Sequence, residues 1–136
     1  MRPVLIDTNA YSAIKRAESA IIEIIQFADT IAFSPIVIGE LLFGFDNGSQ
    51  VKQNRLELQR FLDSPRVKVL PILSETAHFF SQICFSLKQK GNPIPTNDIW
   101  IAAQALEHGC VVCTADKHFK AIDGLLLVTS IADLVM

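Results

Sequence analysis

Four acidic residues stand where apolar segments ordinarily exclude charge. Asp7 follows Val4-Leu5-Ile6, and Glu40 lies inside Ile36-Val37-Ile38-Gly39-Glu40-Leu41-Leu42-Phe43. Asp98 precedes Ile99-Trp100-Ile101-Ala102-Ala103, and Asp116 follows Val111-Val112-Cys113-Thr114-Ala115. A carboxylate removed from water is costly unless it finds hydrogen-bond donors, a cationic partner or a metal ion. Gathered into one small volume, four such groups must retain protons or bind divalent cations. Oxygen donors with no His or Cys near them in the pattern predict Mg²⁺ or Mn²⁺ rather than zinc. Carboxylate-bound Mg²⁺ keeps several waters and suits phosphoryl chemistry, and two ions roughly 3.5 to 4 Å apart would clamp the attacking and leaving oxygens of a phosphodiester displacement.

Each acid also has an ordinary structural reading. Asp7, before Thr8-Asn9, reads on its own as the N-cap of a helix. Asp98 in a first helical turn complements the helix dipole, and Asp116 before Lys117-His118-Phe119 reads as a turn or N-cap residue. Glu40 is harder to explain in this way. On a helix apolar nearly all round, a Glu is either exposed on a narrow strip or kept for chemistry, with no local preference between the two. Their joint occurrence favours a common site.

The elements that must position these acids alternate as in an α/β domain. Val4 to Ile6 reads as a short buried strand, followed by helices over Asn9 to Lys15 and Ser19 to Phe27. Ile31 to Phe33 is a second strand, and Ser34-Pro35 supplies an N-cap and first-turn pair for a helix reaching about Phe45. Gln50 to Leu62 is a more polar helix, and Val67 to Leu70 alternates like a half-exposed strand. From Ser74 to Lys90, Ala77, Phe80, Ile83, Cys84 and Leu87 form a stripe at helical spacing, read as core, with Gly91 ending the helix. Asp98 to Glu107 is a helix, Val111 to Thr114 a buried strand and Leu125 to Val128 the last strand.

Apolar strands without clear alternation predict a parallel sheet covered by helices on both faces. In open sheets of this kind, ligands bind beyond the carboxyl ends of the strands. Asp7 and Asp116 both follow a strand directly, so they belong to one edge. Asp98 and Glu40 reach that edge if the N-terminal halves of their helices point to it.

Half of the 136 residues are hydrophobic, which suits one compact domain with a real core. The net charge of -2 neither supports nor excludes a nucleic-acid partner, since a polyanion would need local cations. The N-terminal segment reaches Asp7 before a signal-peptide core could form, and no apolar run is long enough for a bilayer, so a cytoplasmic protein is expected. Cys110 and Cys113 have metal-like spacing but fall in a strand, where positions three apart face opposite ways. They and Cys84 read as buried structural thiols.

Four pieces of this chain, in order and at fitting separations, resemble the PIN-domain nucleases, and within them the VapC toxins of toxin-antitoxin pairs. They are Val4-Leu5-Ile6-Asp7-Thr8-Asn9, Ser34-Pro35-Ile36-Val37-Ile38-Gly39-Glu40-Leu41-Leu42-Phe43-Gly44, Gly91-Asn92-Pro93-Ile94-Pro95-Thr96-Asn97-Asp98-Ile99-Trp100-Ile101-Ala102-Ala103 and Thr114-Ala115-Asp116-Lys117-His118-Phe119. The resemblance implies a single PIN domain over residues 1–136, with a PIN-like three-layer α/β sandwich around a central, mostly parallel sheet. It puts Asp7, Glu40, Asp98 and Asp116 on the family's acidic, metal-binding and catalytic positions, with Asn9 and Thr114 as polar supports. It further implies a Mg²⁺- or Mn²⁺-dependent endoribonuclease, a homodimer and a cognate VapB-type antitoxin. Asp116 occupies the most variable of the four positions, as a direct or water-mediated ligand.

Lys15, Lys88, Lys90, Lys117 and Lys120 are available to an RNA backbone but read first as solvated surface. His118 reads as a surface residue beside an anchoring Phe119. The apolar stretches Ile36 to Phe45 and Ile21 to Ile25 exceed what one small sheet needs and suit a dimer or an antitoxin helix. Two other readings fit the same residues. One is a metal-dependent RNA-binding or regulatory module without cleavage. The other, a phosphoacceptor receiver domain, is disfavoured because Asp7 stands alone at the first strand and Val67 to Ser74 carries no acid.

Overall fold

The structure is a computed structural model that describes residues 1–134. Its centre is a five-stranded sheet of β1 (Val4–Ile6), β2 (Ile31–Phe33), β3 (Val67–Val69), β4 (Val111–Cys113) and β5 (Leu126–Val128), in the order β3-β2-β1-β4-β5. Every pairing is parallel. The three inner strands are buried at every position, whereas β3 exposes Lys68 and Val69 and β5 exposes Leu126. This is the burial expected of continuous apolar runs in a covered parallel sheet with two weaker edges.

Six α-helices flank the sheet among the described residues: α1 (Thr8–Lys15), α2 (Ser19–Phe27), α3 (Pro35–Asp46), α4 (Val51–Leu62), α5 (Ser74–Lys90) and α6 (Thr96–His108). Ser34 caps α3 as its sequence predicts, its hydroxyl accepting the Ile36 N–H at 3.1 Å, with Pro35 in the first turn. α5 and α6 end at Gly91 and Gly109, both at φ 67, a left-handed conformation that glycine adopts without Cβ strain. The α6 helix starts two residues earlier than its apolar run suggests, so Asp98 lies within its first turn.

The chain winds β1 to β2 to β3 outward in one direction, then crosses back to add β4 beside β1 and β5 beyond it. The direction of winding reverses between β1 and β4. In a doubly wound sheet, that reversal opens a crevice at the carboxyl ends of the two strands. The pairing of Ile6 with Cys113 fixes the register there, so the residues that follow both strands emerge side by side.

Packing holds this frame rigid. Phe33, Tyr11 and Phe61 meet edge to face at centroid separations of 5.5 to 6.0 Å, joining β2, α1 and α4. Phe80 stacks on Trp100 at 4.0 Å and the Thr76 hydroxyl donates to Glu107 at 2.6 Å, clasping α5 to α6. The fully buried Gln104 donates to the carbonyls of Leu70 and Pro71, tying α6 to the chain leaving β3.

The stripe expected on α5 is only partly core. Thr76, Ile83 and Leu87 are buried, Phe80 and Cys84 half-buried and Ala77 exposed, because the helix packs mainly on α6 rather than on the sheet. Cys110 and Cys113 are buried thiols as expected, pushed by burial to about 11 and about 12, whereas Cys84 is only partly covered. Replacing Phe33, fully buried at the centre of the aromatic trio, should cost about 3 to 5 kcal/mol for Phe33→Ala. Urea unfolding of the two proteins measures it, and a loss under 1 kcal/mol would show that the trio does not hold β2 to α1 and α4.

Candidate active site

Asp7 leaves β1 and turns at once into α1. One carboxylate oxygen, Oδ1, accepts the Ala10 N–H at 2.8 Å and so caps the helix; the other, Oδ2, accepts the Thr114 hydroxyl from the end of β4. The structural and chemical readings of Asp7 are therefore compatible. A carboxylate offers about four lone-pair positions, and these two bonds leave others open. Thr114 also accepts the Asp116 N–H at 2.9 Å, so one hydroxyl couples the ends of both strands and orients Asp116.

Asp116 in turn caps a short 3₁₀ helix, Lys117–Ala121, by accepting the His118 N–H at 2.9 Å. Phe119, buried in the core, pins that turn from beneath, as its sequence setting suggests. Glu40 reaches the same place from the middle of α3. Its Oε1 accepts the Thr8 hydroxyl at 2.7 Å and its Oε2 the Asn97 amide at 3.3 Å. Asp98 projects from the first turn of α6.

All four acids line one solvent-open cavity of about 440 Å³, together with Thr8, Asn9, Asn97 and His118. Thr114 lies beneath it and Asn9 at its wall. A separate, more apolar cavity of about 390 Å³, lined by Leu87, Pro93, Ile94 and Ile99, lies at the C-terminal end of α5 and contains none of these groups.

Three contributors escape the sequence pattern. Thr8 and Asn97 adjoin Asp7 and Asp98 in the chain, but their bonds to Glu40 depend on how α1, α3 and α6 meet. His118 is exposed, as a surface residue should be, but it also touches the acids. Its Nδ1 lies 3.1 Å from Asp116 Oδ1 and 3.3 Å from Asp98 Oδ2. The premise that no histidine stands near the acids is therefore corrected, and the donor set contains one nitrogen. Among the lysines, Lys15 pairs with Glu57 and Lys90 with Asp123, each at 2.6 Å, so both are engaged away from the acids.

Burial raises the Asp7 carboxyl above the ordinary aspartate range, against the lowering effect of the Thr114 and Ala10 bonds, with the Asp98 and Asp116 charges adding to the rise. Burial likewise raises Asp98, opposed by the His118 contact and reinforced by Asp116 and Glu40. This donor set fits a hard divalent cation: several carboxylates converge on an open cavity, two already resist ionisation, and no Lys or Arg lines that cavity among the described residues.

The raised folded-state values carry a definite sign. The unfolded chain ionises first as pH rises, so stability is lost through the carboxylate range and remains reduced at pH 7. Asp98→Asn removes that cost. Thermal unfolding of the metal-free protein should give a higher Tm for Asp98→Asn than for wild type at pH 7, the gap closing as pH falls towards about 3.5. A lower Tm for the variant at pH 7 would contradict the repulsion described.

The PIN-domain family profile matches residues 4–125. Ribonuclease VapC2 of Rickettsia felis is 31% identical over 128 residues, an alignment covering 90% of this chain and 94% of that protein. The crystal structure of VapBC2 from Rickettsia felis bound to a promoter DNA fragment superposes with a TM-score of 0.83 at 27% identity, covering 93% of this chain and 97% of that one. DNA-bound VapBC from Salmonella typhimurium gives the same TM-score and identity, with 94% and 98% covered. Matches of this extent, on a parallel α/β fold with its acids at the switch point, establish that the chain belongs to the PIN-domain family and, within it, to the VapC ribonucleases.

Proposed function

We propose that this chain is the toxin of a type II toxin-antitoxin module, a Mg²⁺-dependent endoribonuclease that also accepts Mn²⁺ and is neutralised by a cognate VapB-type antitoxin. The observation that carries the reading is the convergence of Asp7, Glu40, Asp98 and Asp116 on one open cavity at the carboxyl ends of β1 and β4. Residues 1–136 are read as a single PIN domain, supported by the family match over residues 4–125 and by one continuous sheet. A cytoplasmic location accords with RNA as substrate and with the absence, among the described residues, of any helix long and apolar enough to cross a membrane.

In this reading Asp7, Asp98, Glu40 and Asp116 hold the ion. When bound, it polarises the phosphate and lowers the pKa of a coordinated water. The chain's own groups do the rest. Ala10 N–H and the Thr114 hydroxyl hold Asp7 in one orientation, and Thr8 and Asn97 do the same for Glu40, which limits reorganisation during reaction. Hydrolysis adds the water oxygen to phosphorus and breaks the bond to the leaving oxygen. One of the cavity carboxylates takes the proton released by water, and the leaving oxygen receives one in return. The open cavity suits a single-stranded or looped RNA, whose backbone can enter it.

Purified wild type, Asp7→Ala and Asp98→Asn, each given RNA with Mg²⁺ or Mn²⁺, test the assignment. Both variants should cleave at least about a hundredfold more slowly, the scale on which losing one stabilising contact to developing charge is felt. Equal cleavage by all three would move the chemistry elsewhere, and metal binding by wild type without cleavage of any RNA would favour a binding module.

The partner reading rests on surplus apolar surface. α3 buries only Val37 and Leu41, leaving Phe43 69% exposed, and α2 buries only Ile24, with Phe27 42% exposed. A groove of about 280 Å³ between α1, α3 and α4, lined by Tyr11, Leu41 and Phe45, suits an apolar antitoxin segment. The remaining apolar surface is assigned to a homodimer. Expressed alone, the chain should elute as a dimer or aggregate on size exclusion; a well-behaved monomer at high concentration would remove the basis for this assignment.

A further inference from the structure

The histidine at the acid cluster has a geometry that the four-carboxylate description does not use. His118 Nδ1 stands 3.1 Å from Asp116 Oδ1 and 3.3 Å from Asp98 Oδ2, and one donor atom from each of the three residues falls within 4.8 Å of the others. Ligands at about 2.1 Å from an octahedral ion, at right angles to one another, are about 3.0 Å apart. The imidazole nitrogen therefore already stands from both carboxylate oxygens at nearly the separation of adjacent ligands on one ion.

The local chain fixes it there. His118 N–H donates to Asp116 Oδ1, and the next side chain, Phe119, is buried in the core, so the turn carrying the imidazole has little freedom to swing away. The imidazole itself is 49% exposed and is not spent on core packing.

We propose that His118 is a direct ligand, through Nδ1, of the divalent ion shared with Asp98 and Asp116, and that it biases this site towards Mn²⁺ over Mg²⁺. The inference rests on the metal-dependent reading above and names one more donor within it. Mg²⁺ favours carboxylate, carbonyl and water oxygens, whereas a borderline imidazole donor suits the first-row transition ions. A mixed set of two carboxylates and one imidazole consequently gains more from Mn²⁺ than an all-oxygen set does. The competing role for His118 is an imidazolium counter-ion of the two carboxylates, which an arriving ion would displace; that role leaves no nitrogen on the metal.

Electron spin-echo envelope modulation of the full chain loaded with Mn²⁺ separates the two without reference to cleavage. Wild type should show the modulation of a directly bound ¹⁴N, changed by selective ¹⁵N-histidine labelling and lost in His118→Gln. In isothermal titrations His118→Gln should weaken Mn²⁺ binding by roughly tenfold while Mg²⁺ binding changes far less. Bound Mn²⁺ without histidine nitrogen coupling in wild type would overturn the ligand assignment and leave the metal-dependent reading standing. Failure of wild type to bind Mn²⁺ or Mg²⁺ at all would overturn both.

Discussion

Mutual repulsion among carboxylates at the ends of two adjacent strands is the constraint around which this molecule is arranged. Parallel pairing of β1 with β4, in a register that sets Ile6 against Cys113, makes the chain deliver Asp7 and Thr114 to neighbouring positions. Asp116 follows two residues later. Charges placed so closely in a partly dry cleft would drive the surrounding backbone apart unless each carboxylate had local donors. The structure provides them within the cluster: an N-cap bond and a threonine hydroxyl for Asp7, a hydroxyl and an amide for Glu40, and a backbone N–H for Asp116. Such bonds orient the acids without neutralising them. A cation is the species that can offset the remaining charge.

The apolar parts of the fold follow from the same requirement. A site built from four separate segments holds its geometry only if those segments cannot shift. The clasp of Phe80 on Trp100 and of Thr76 on Glu107 fixes α6, and with it Asp98. The edge-to-face trio of Tyr11, Phe33 and Phe61 fixes α1 and β2, on either side of the turn that presents Asp7 and of Ser34, which starts α3. Close packing has little slack, so it transmits position over distance. The acids are held by aromatic contacts that never touch them.

Much of this was legible in the order of residues. Short wholly apolar runs marked the inner strands, Ser34-Pro35 marked the start of α3, and the acids at strand ends marked the edge where they meet. Strand order was not legible, because the crossover that inserts β4 beside β1 depends on long-range packing, which no local signal marks. For the same reason Ala77 read as core and is exposed: helical spacing identifies a stripe, but the partner element decides how wide the buried face is. His118 read as a surface residue and is exposed, but its contact with the acids was not legible, because a histidine in a turn looks alike whether or not a carboxylate lies within reach; what places it there is the capping of the turn by Asp116 and the anchoring of Phe119. Thr8 and Asn97 were invisible as supports because Glu40 is distant in sequence from both.

The net charge of -2 is informative once the site is placed. Of the 14 acidic residues, four are gathered in a single cleft, so the field that an RNA backbone meets there is far more negative than the whole-molecule charge implies. Screening at physiological ionic strength confines that field to about 8 Å, a range that covers the cavity and little beyond it. An RNA chain can therefore approach the remaining surface at little electrostatic cost and is opposed only where its phosphate would react. In the metal-dependent reading proposed above, cations bound in the cleft would reverse that local opposition at the one point where charge must be stabilised during hydrolysis. In that reading, the same repulsion that makes the metal-free cleft costly to fold would make productive entry of the phosphate conditional on the ion.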